Sequence, residues 1–253
     1  MQIAVLSDIH SNVYALKAVL QDIKRRGADV VVNLGDILYG PIAPKASYEL
    51  LMEHELVTIR GNQDRQIYEA SGDAIEFNPT LQFILQDLGK APLQWMRSLP
   101  ATLVLDGDIF LCHGTPSDDQ VYLLEDVVTG TPQLRSESSI LQLLGEVTSA
   151  VVLCGHTHLP RTVYTSRQQL IVNPGSVGLP AYQDDFPCVH AMENFSSHAS
   201  YSLLEASADG WNVAQLKVAY DVTSAVADAR SRGRDDWGTF LATGRSYCGS
   251  AHL

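Results

Sequence analysis

The sequence predicts an α/β protein in which two mixed β-sheets pack face to face, with helices outside both sheets. The first part of the chain alternates short apolar runs with amphipathic helical patterns, an order typical of a parallel sheet flanked by helices. Residues 161–218 instead read as successive strands separated by turns. No repeat, low-complexity segment or linker interrupts the chain, so we expect a single domain over residues 1–253.

The first part of the chain has the order strand, helix, strand, helix, strand. In sequence, these elements are predicted at Ile3–Leu6, Val13–Arg26, Val30–Leu34, Ser47–His54 and Leu56–Arg60. Residues 62–98 then carry helical patterns without strand signals, including Thr80–Leu88 and Leu93–Leu99. They predict a helical insertion after the third strand.

The second part of the chain is richer in strands. Strands are predicted at Ala101–Leu105, Ile109–Cys112, Ala150–Cys154, Thr162–Ser166, Gln169–Val172, Cys188–Glu193, Tyr201–Ala206 and Trp211–Val218. A polar loop is expected over 114–120, and helices are expected near 121–128 and 138–146. Helical patterns return over 221–243, within a C-terminal tail that covers 221–253.

The net charge excludes some classes of partner. The chain has 17 Lys and Arg against 29 Asp and Glu, a formal charge of −12. This balance disfavours nonspecific binding to a nucleic acid polymer or to an anionic membrane. An anionic substrate therefore needs local positive charge, which bound metal ions can supply. The oligomeric state has no signature in the sequence.

Cysteine spacing and the N-terminus suggest a cytoplasmic protein. The four cysteines are far apart, contain no Cys-x-x-Cys pair, and are expected to be reduced thiols: Cys112, Cys154, Cys188 and Cys248. The start of the chain lacks the basic and apolar regions of a signal peptide, and no apolar run approaches the roughly 20 residues of a membrane span.

Seven metal-capable side chains stand at the ends of five predicted strands: Asp8, His10, Asp36, Asn62, His113, His156 and His158. Alone, each such residue is more often a turn former or a helix cap. Together, however, they form five short motifs that occur once each and in order, which favours a metal site. Histidines with carboxylates suit divalent transition metals, and Mn, Fe, Zn, Co and Ni all remain open on this ground.

At these residues the chain resembles the calcineurin-like metallophosphoesterases, and among them the small prokaryotic metallophosphodiesterase branch. The resemblance covers nearly the whole chain, including the segment Val172-Asn-Pro-Gly-Ser-Val-Gly and the tail that starts at Tyr220-Asp-Val. It implies a four-layer α/β/β/α sandwich. It also implies two divalent ions, with Mn favoured, that share Asp36 as a bridge. One ion would be held by Asp8, His10, Asp36 and His158, and the other by Asp36, Asn62, His113 and His156.

A dinuclear centre of this kind hydrolyses phosphate esters by attack of a hydroxide that bridges the two ions. In many members of the superfamily a histidine, oriented by the next aspartate, assists the leaving group at the position of Gln63. Gln63 cannot donate a titrating proton, and general acid catalysis is typically worth about 10²–10⁴-fold. We therefore assign catalytic positions to Gln63 and Asp64 but expect substrates with good leaving groups.

The predicted function is hydrolysis of small phosphodiesters or nucleotide-like phosphoanhydrides. Loops beside the metal motifs predict further substrate contacts at Asn12, Tyr39, Asp118 and Tyr122, although Asn12 is also a candidate helix cap. Two alternatives stay open. One is a phosphomonoesterase or protein phosphatase. The other is a noncatalytic metal-binding scaffold, since the same fold includes a retromer subunit that acts as an interaction module.

Overall fold

The computed structural model describes residues 1–246. Cys248 and the end of the predicted helical tail lie outside the described residues.

The first half of the chain follows the predicted order of strands and helices. Its elements are β1 (Gln2–Leu6), α1 (Val13–Arg26), β2 (Val30–Asn33), α2 (Pro44–Met52), β3 (Val57–Thr58), α3 (Asn62–Glu69), α4 (Gly72–Glu76), α5 (Pro79–Leu88), α6 (Lys90–Ser98), β4 (Thr102–Leu105) and β5 (Ile109–Cys112). Helices α3 to α6 form the predicted insertion after the third strand.

Short strands dominate the second half until two helices follow near its end. Its elements are β6 (Glu125–Asp126), β7 (Gln133–Leu134), α7 (Glu137–Leu144), β8 (Val151–Leu153), β9 (Arg161–Tyr164), β10 (Leu170–Asn173), β11 (Ala181–Asp184), β12 (His190–Glu193), β13 (Ala199–Ser207), β14 (Gly210–Val218), α8 (Val222–Ser231) and α9 (Asp235–Thr243).

Two five-stranded mixed sheets form the centre of the molecule. The first has the strand order β14-β13-β1-β2-β3, in which β1, β2 and β3 are parallel and β13 runs antiparallel to both of its neighbours. The second has the order β4-β5-β8-β10-β9, in which β5, β8 and β10 are parallel and the two edge strands are antiparallel. Strands β11 with β12, and β6 with β7, form separate hairpins.

Side-chain alternation along the strands explains the layers. In β1, Ile3 and Val5 point into a core shared with Leu111 and Leu153 of the second sheet. The intervening residue Ala4 belongs to a second core, which packs against α1, α8 and α9. On the far side of the second sheet, a third core packs against α7. The predicted four-layer α/β/β/α sandwich is therefore confirmed.

The helix predicted near 121–128 was wrong. Tyr122, Leu123 and Leu124 are consecutive and all buried, and they contribute to two different cores. An extended segment can bury successive residues on opposite sides, so tertiary packing prevails over helical patterning here. Strand β11 was also missed, because its sequence Ala-Tyr-Gln-Asp is weakly apolar.

The described cysteines agree with the expectation of reduced thiols. Cys112, Cys154 and Cys188 are unbonded, and the first two are buried. Burial raises the pKa of the Cys112 thiol to about 12. Separately, none of the helices within residues 1–246 combines the length and the apolar character needed to cross a bilayer.

Candidate metal centre

The seven predicted ligands converge at one edge of the two sheets. Asp8 and His10 follow β1, Asp36 follows β2, and Asn62 begins the helix after β3. His113 directly follows β5, and the loop with His156 and His158 follows β8. All of these strands are parallel to a neighbour, so their carboxyl ends meet at the same edge.

Six of these residues form two adjacent buried groups. Asp8, His10 and His158 make one group, and Asp36, His113 and His156 make the other, with the candidate ligand atoms of each group within 4.8 Å of one another. Asp8 Oδ1 lies 3.4 Å from His158 Nε2 and 3.9 Å from His113 Nε2. Because Asp8 is close to histidines of both groups, the two groups form one continuous site.

Each histidine is oriented by a hydrogen bond to a main-chain carbonyl. Nδ1 donates from His10 to Tyr39 O at 3.1 Å, from His113 to Leu34 O at 2.8 Å, and from His158 to Leu179 O at 2.6 Å. His156 differs, because its Nε2 donates to Gln120 O at 3.1 Å. These bonds favour one tautomer of each neutral ring. In that tautomer the other nitrogen, Nε2 in three rings and Nδ1 in His156, carries a lone pair that can bind a metal ion.

The unpartnered atoms in this site fit bound cations. His10 Nε2 and His158 Nε2 lie 3.0 Å apart, and both carry lone pairs if their Nδ1 atoms donate as described. Asp8 Oδ1, Asn62 Oδ1 and His113 Nε2 are also buried without a hydrogen-bond partner. Since buried polar atoms normally find a partner, the set fits divalent transition-metal ions.

Without a metal ion, the electrostatics favour the metal-binding forms of Asp8, Asp36, His10 and His156, whereas His113 is favoured as a cation whose proton a metal ion would replace. Burial opposes ionisation of Asp8 and Asp36, but the surrounding imidazoles lower the pKa of both carboxyls below its usual value. Burial and a neighbouring histidine lower the pKa of His10 to about 4, and likewise that of His156 to about 4. Burial alone would lower the pKa of His113, but Asp36 and Asp8 raise it to about 10.

Comparison with known proteins identifies the family. The family model for the calcineurin-like phosphoesterase superfamily domain matches residues 1–194 of the chain. The chain belongs to this superfamily. It is therefore a metal-dependent phosphoric ester hydrolase, and the sequence-based family assignment is confirmed.

Relatives within the superfamily cover most of the chain. An uncharacterised protein of Methanocaldococcus jannaschii is 25% identical over 96% of this chain and 98% of its own. Phosphodiesterase YfcE of Escherichia coli K12 is 29% identical over 71% of this chain and 81% of its own. The crystal structure of a metallophosphoesterase from Sphaerobacter thermophilus is 25% identical, covers 97% of this chain and all of its own, and superposes with a TM-score of 0.74.

The ligand loops of this calcineurin-like site have unusual backbone conformations. Nine described residues other than glycine have positive φ, and five of them are predicted ligands: Asp8 at 56°, His10 at 48°, Asp36 at 53°, His156 at 70° and His158 at 59°. Such conformations are sparsely populated by residues with a side chain and persist where the surroundings enforce them. The surrounding fold therefore holds these five side chains in position without a bound metal ion.

The segment after β10 clamps the first ligand loop. Val177 N donates to Ser7 O and Gly178 N donates to Asp8 O, both at 3.0 Å. Ser176 Oγ donates to Asp8 O at 2.8 Å. The approach at Gly178 is so close that a Cβ there would lie 1.7 Å from Ile9 O. Only glycine allows this contact, which explains the second glycine, Gly178, of the Asn-Pro-Gly-Ser-Val-Gly segment.

The two residues predicted to be catalytic have different surroundings. Gln63 lines the cavities on the metal centre, and its Oε1 is buried without a hydrogen-bond partner. Asp64 instead accepts main-chain N–H groups with both carboxylate oxygens, from Asp36 and Ile37 at 2.9 Å and from Gly61 at 3.0 Å. It ties the loop after β2 to the start of α3, and the described hydrogen bonds do not connect it to the Gln63 side chain.

Two of the four predicted substrate contacts line cavities on the metal centre, and two do not. Tyr39 and Tyr122 line cavities on the metal centre. Asn12 does not, because its Oδ1 caps α1 at Ala15 N and its Nδ2 donates to Gly178 O, so the alternative helix-cap interpretation is the one the structure favours. Asp118 lies on the exposed loop surface outside both cavities, with its carboxylate accepting from Gln120 N.

Sequence reasoning missed the aromatic residues that support the site. Tyr182 donates to the main-chain carbonyl of His156 at 3.0 Å and contacts the hydroxyl of Tyr122 at the same distance. Trp237, near the start of α9, meets the ring of His10 edge to face at 5.8 Å. Neither residue carries a motif, and their positions depend on β11 and α9 packing over the site.

Proposed function

We propose that this phosphoesterase hydrolyses small phosphodiesters or nucleotide-like phosphoanhydrides at a dinuclear metal centre. The observation that carries the proposal is the pair of contiguous, buried carboxylate and histidine groups whose unpartnered atoms face one another. The likeness to a phosphodiesterase of Escherichia coli supports the choice of diesters. The partner is a small phosphate ester, not a nucleic acid polymer or a membrane.

The proposed centre uses all seven ligands, with Asp36 as the bridge. One ion would be held by Asp8, His10, Asp36 and His158, and the other by Asp36, Asn62, His113 and His156. Asp36 Oδ2 lies 3.3 Å from His113 Nε2, and Asp36 Oδ1 accepts from Gln63 N at 2.8 Å, which holds the carboxylate in one orientation. Manganese is the favoured metal, with Fe, Zn, Co and Ni as alternatives.

When bound, two such ions would generate a nucleophile from water near neutral pH and neutralise charge on the phosphoryl group. The protein side chains supply binding and orientation. Gln63 is placed to donate an amide hydrogen bond to a phosphoryl oxygen, since its side chain lines both cavities. It cannot protonate a leaving group, so esters with good leaving groups are the expected substrates.

Substitution of Asp36 tests this proposal. We expect Asp36→Asn to lose most bound metal and most turnover of bis-p-nitrophenyl phosphate with manganese, because the amide removes the shared negative charge. Elemental analysis and a chromogenic assay measure both quantities. Asp209→Asn, at an exposed turn outside the site, is the matched control.

Three results would contradict the proposal in different ways. Two bound ions and wild-type turnover in Asp36→Asn would remove the ligand assignment. Faster wild-type hydrolysis of phosphoserine than of the aryl diester would favour a phosphomonoesterase. Metal binding without turnover of any ester would favour a noncatalytic scaffold.

We also propose that the protein works in the cytoplasm. Cys112 and Cys154 are buried, unbonded thiols, as expected for a protein kept in a reducing compartment. Cell fractionation followed by immunodetection checks this assignment. Recovery from an exported or membrane fraction would contradict it.

A further inference from the structure

Two cavities meet at the metal centre, one on each side of Asn62, Gln63 and His156. The first, which we call the polar cleft, has a volume of about 520 Å³ and is lined by α3 and by the loop before Tyr122. The second, which we call the aromatic recess, has a volume of about 340 Å³ and reaches from His10 and His158 to α9. Because both open onto the same ligands, a phosphate at the centre can extend a substituent into each.

The aromatic recess combines aromatic and apolar side chains with polar ones. Its walls include Tyr39, Leu179, Tyr182, Trp237 and Phe240. Trp237 and Phe240 are 4% and 5% exposed and also belong to the core, so only small parts of their rings face the recess. Trp237 also contacts the ring of His10, which places this wall directly beside the metal ligands. A group bound in the recess would therefore lie close to a phosphate at the metal centre.

The wall formed by α9 lies outside the part of the chain that defines the family. The family match ends at residue 194, whereas Arg234, Trp237 and Phe240 follow in the C-terminal helices. The metal-binding motifs that the family match covers therefore do not explain why α9 forms a wall of the recess.

Positive charge in both cavities is already neutralised. Among the described residues that line them, the only Lys or Arg side chains are Arg65 and Arg234. Arg234 binds both carboxylate oxygens of Asp236, at 2.9 and 2.7 Å, and also donates to Thr80 Oγ1. Arg65 binds both oxygens of Asp119, at 3.1 and 2.6 Å.

The carboxylates in the lining outnumber the two guanidinium groups. Asp184 lines both cavities, and Glu69 lines the polar cleft at 3.5 Å from the already paired Arg65. A substrate that carries further phosphate groups would bring them towards these carboxylates without an available guanidinium. Coulomb repulsion in a partly buried cavity therefore disfavours polyphosphates.

We propose that the substrate is a phosphodiester with a single negative charge, one planar aromatic substituent in the aromatic recess and one hydrophilic substituent in the polar cleft. This inference rests on the proposed phosphoesterase function and narrows it, since it excludes polyphosphate anhydrides as preferred substrates.

The first experiment measures binding to the manganese-loaded protein by calorimetry. Methyl(phenyl)phosphinate and ethyl(methyl)phosphinate each carry one negative charge near neutral pH and no ester bond, so they differ only in a phenyl group against an ethyl group. We expect the phenyl compound to bind on the order of tenfold more tightly, from burial of the ring. Trp237→Leu reduces this preference severalfold, whereas Trp211→Phe on β14, outside both cavities, leaves it unchanged. Equal affinities in the wild type would overturn the assignment of the recess.

The second experiment tests charge with thymidine 5′-p-nitrophenyl phosphate and its 3′-phosphorylated counterpart. We expect the added phosphate to lower kcat/KM on the order of tenfold. Asp236→Asn removes the carboxylate that Arg234 binds, so Arg234 can interact with the added phosphate. We expect this variant to show a smaller difference in kcat/KM between the two compounds. The control is Asp235→Asn, whose exposed carboxylate lies 4.0 Å from Arg230. A wild-type protein that hydrolyses the 3′-phosphorylated compound equally well or better would overturn the charge argument.

The two experiments separate this inference from the proposed function. Phenyl preference without turnover of either thymidine ester would contradict the proposed function and leave the recess assignment standing. Turnover of the esters without either preference would support the proposed function and contradict the inference alone.

Discussion

His10 and His158 show how a residue type and its surroundings together define a candidate metal ligand. Each ring donates one N–H to a carbonyl, and the remaining nitrogens face each other at 3.0 Å. Without a proton or a cation between them, two lone pairs at this distance repel. Their placement is thus explained by a ligand that the polypeptide itself does not provide.

A substitution at Gln63 tests the role of the missing leaving-group acid. We expect the wild type to hydrolyse aryl phosphodiesters far faster than alkyl ones, because Gln63 donates no titrating proton. Gln63→His should reduce this dependence on leaving-group pKa only slightly. Asp64 already accepts hydrogen bonds from four main-chain N–H groups and cannot readily turn to orient a new imidazole. The increase in the rate of alkyl ester hydrolysis should stay below about 10²-fold, the lower end of the range typical of general acid catalysis.

Rates measured across a series of substituted phosphodiesters check this expectation, with Gln21→His on the exposed side of α1 as a control. Similar chemical-step rates for alkyl and aryl esters in the wild type would mean that another residue acts as the acid. The mechanism would then need a different proton donor.

Sequence alone predicted which polar residues come together at the site better than it predicted the roles of the residues around them. Asp8, His113 and His156 stand out because polar residues directly after apolar strands are unusual in such a combination. Asn12 and Asp64 occupy the same loops, yet their side chains bind main-chain groups. A local sequence pattern does not distinguish a side chain that faces the metal site from one that binds the main chain. The difference depends on which backbone segment packs nearby.

At the scale of elements, short loops rather than helices or strands determine the geometry of the site. The loop after β1 carries Asp8 and His10 with positive φ, and the segment after β10 is hydrogen bonded against it. The strand ends were predictable from apolar runs. The clamp between the two loops was not, because it joins residues that are far apart in sequence.

A methyl group at Gly178 should disrupt this clamp. The added Cβ would lie 1.7 Å from Ile9 O, and the main chain must shift to relieve the overlap. We expect Gly178→Ala to lower the free energy of unfolding by about 1–3 kcal/mol or more, as overpacking does, and to reduce bound metal. Chemical denaturation and elemental analysis measure the two effects.

Gly72→Ala in α4 is the matched control, because nothing lies within 4 Å of its Cβ position. A helical position favours alanine over glycine by about 0.5–1 kcal/mol, so this variant should be neutral or more stable. Unchanged stability and metal content in Gly178→Ala would show that the loops do not need the close approach.

At the scale of the whole molecule, the prediction of two face-to-face sheets held because alternating apolar residues in β1 have to be buried on both sides. The placement of the C-terminal helices was not predictable in the same way. Their helical character is local, but packing of α9 over the metal centre depends on contacts with β11 and α8. The single-domain assignment over 1–253 stays a prediction.

Metal binding should stabilise the entire fold, since the ligands come from both sheets. A ligand that binds only the native state adds about 2.7 kcal/mol at one hundred times its dissociation constant. We expect the melting temperature to fall on chelation and to recover when manganese is added. Differential scanning calorimetry measures the shift, and Asp36→Asn should show a smaller one. Identical melting with and without chelator would contradict a centre that links the two sheets.

The position of α9 also has a consequence for biosynthesis. A ribosome completes every ligand residue, up to His158, well before it reaches the segment that carries Trp237 and Phe240. β13, which pairs with β1, likewise emerges after the last ligand. During translation the proposed metal ligands are therefore all synthesised before α9, and the candidate centre acquires its covering helix only when the C-terminal helices pack against it.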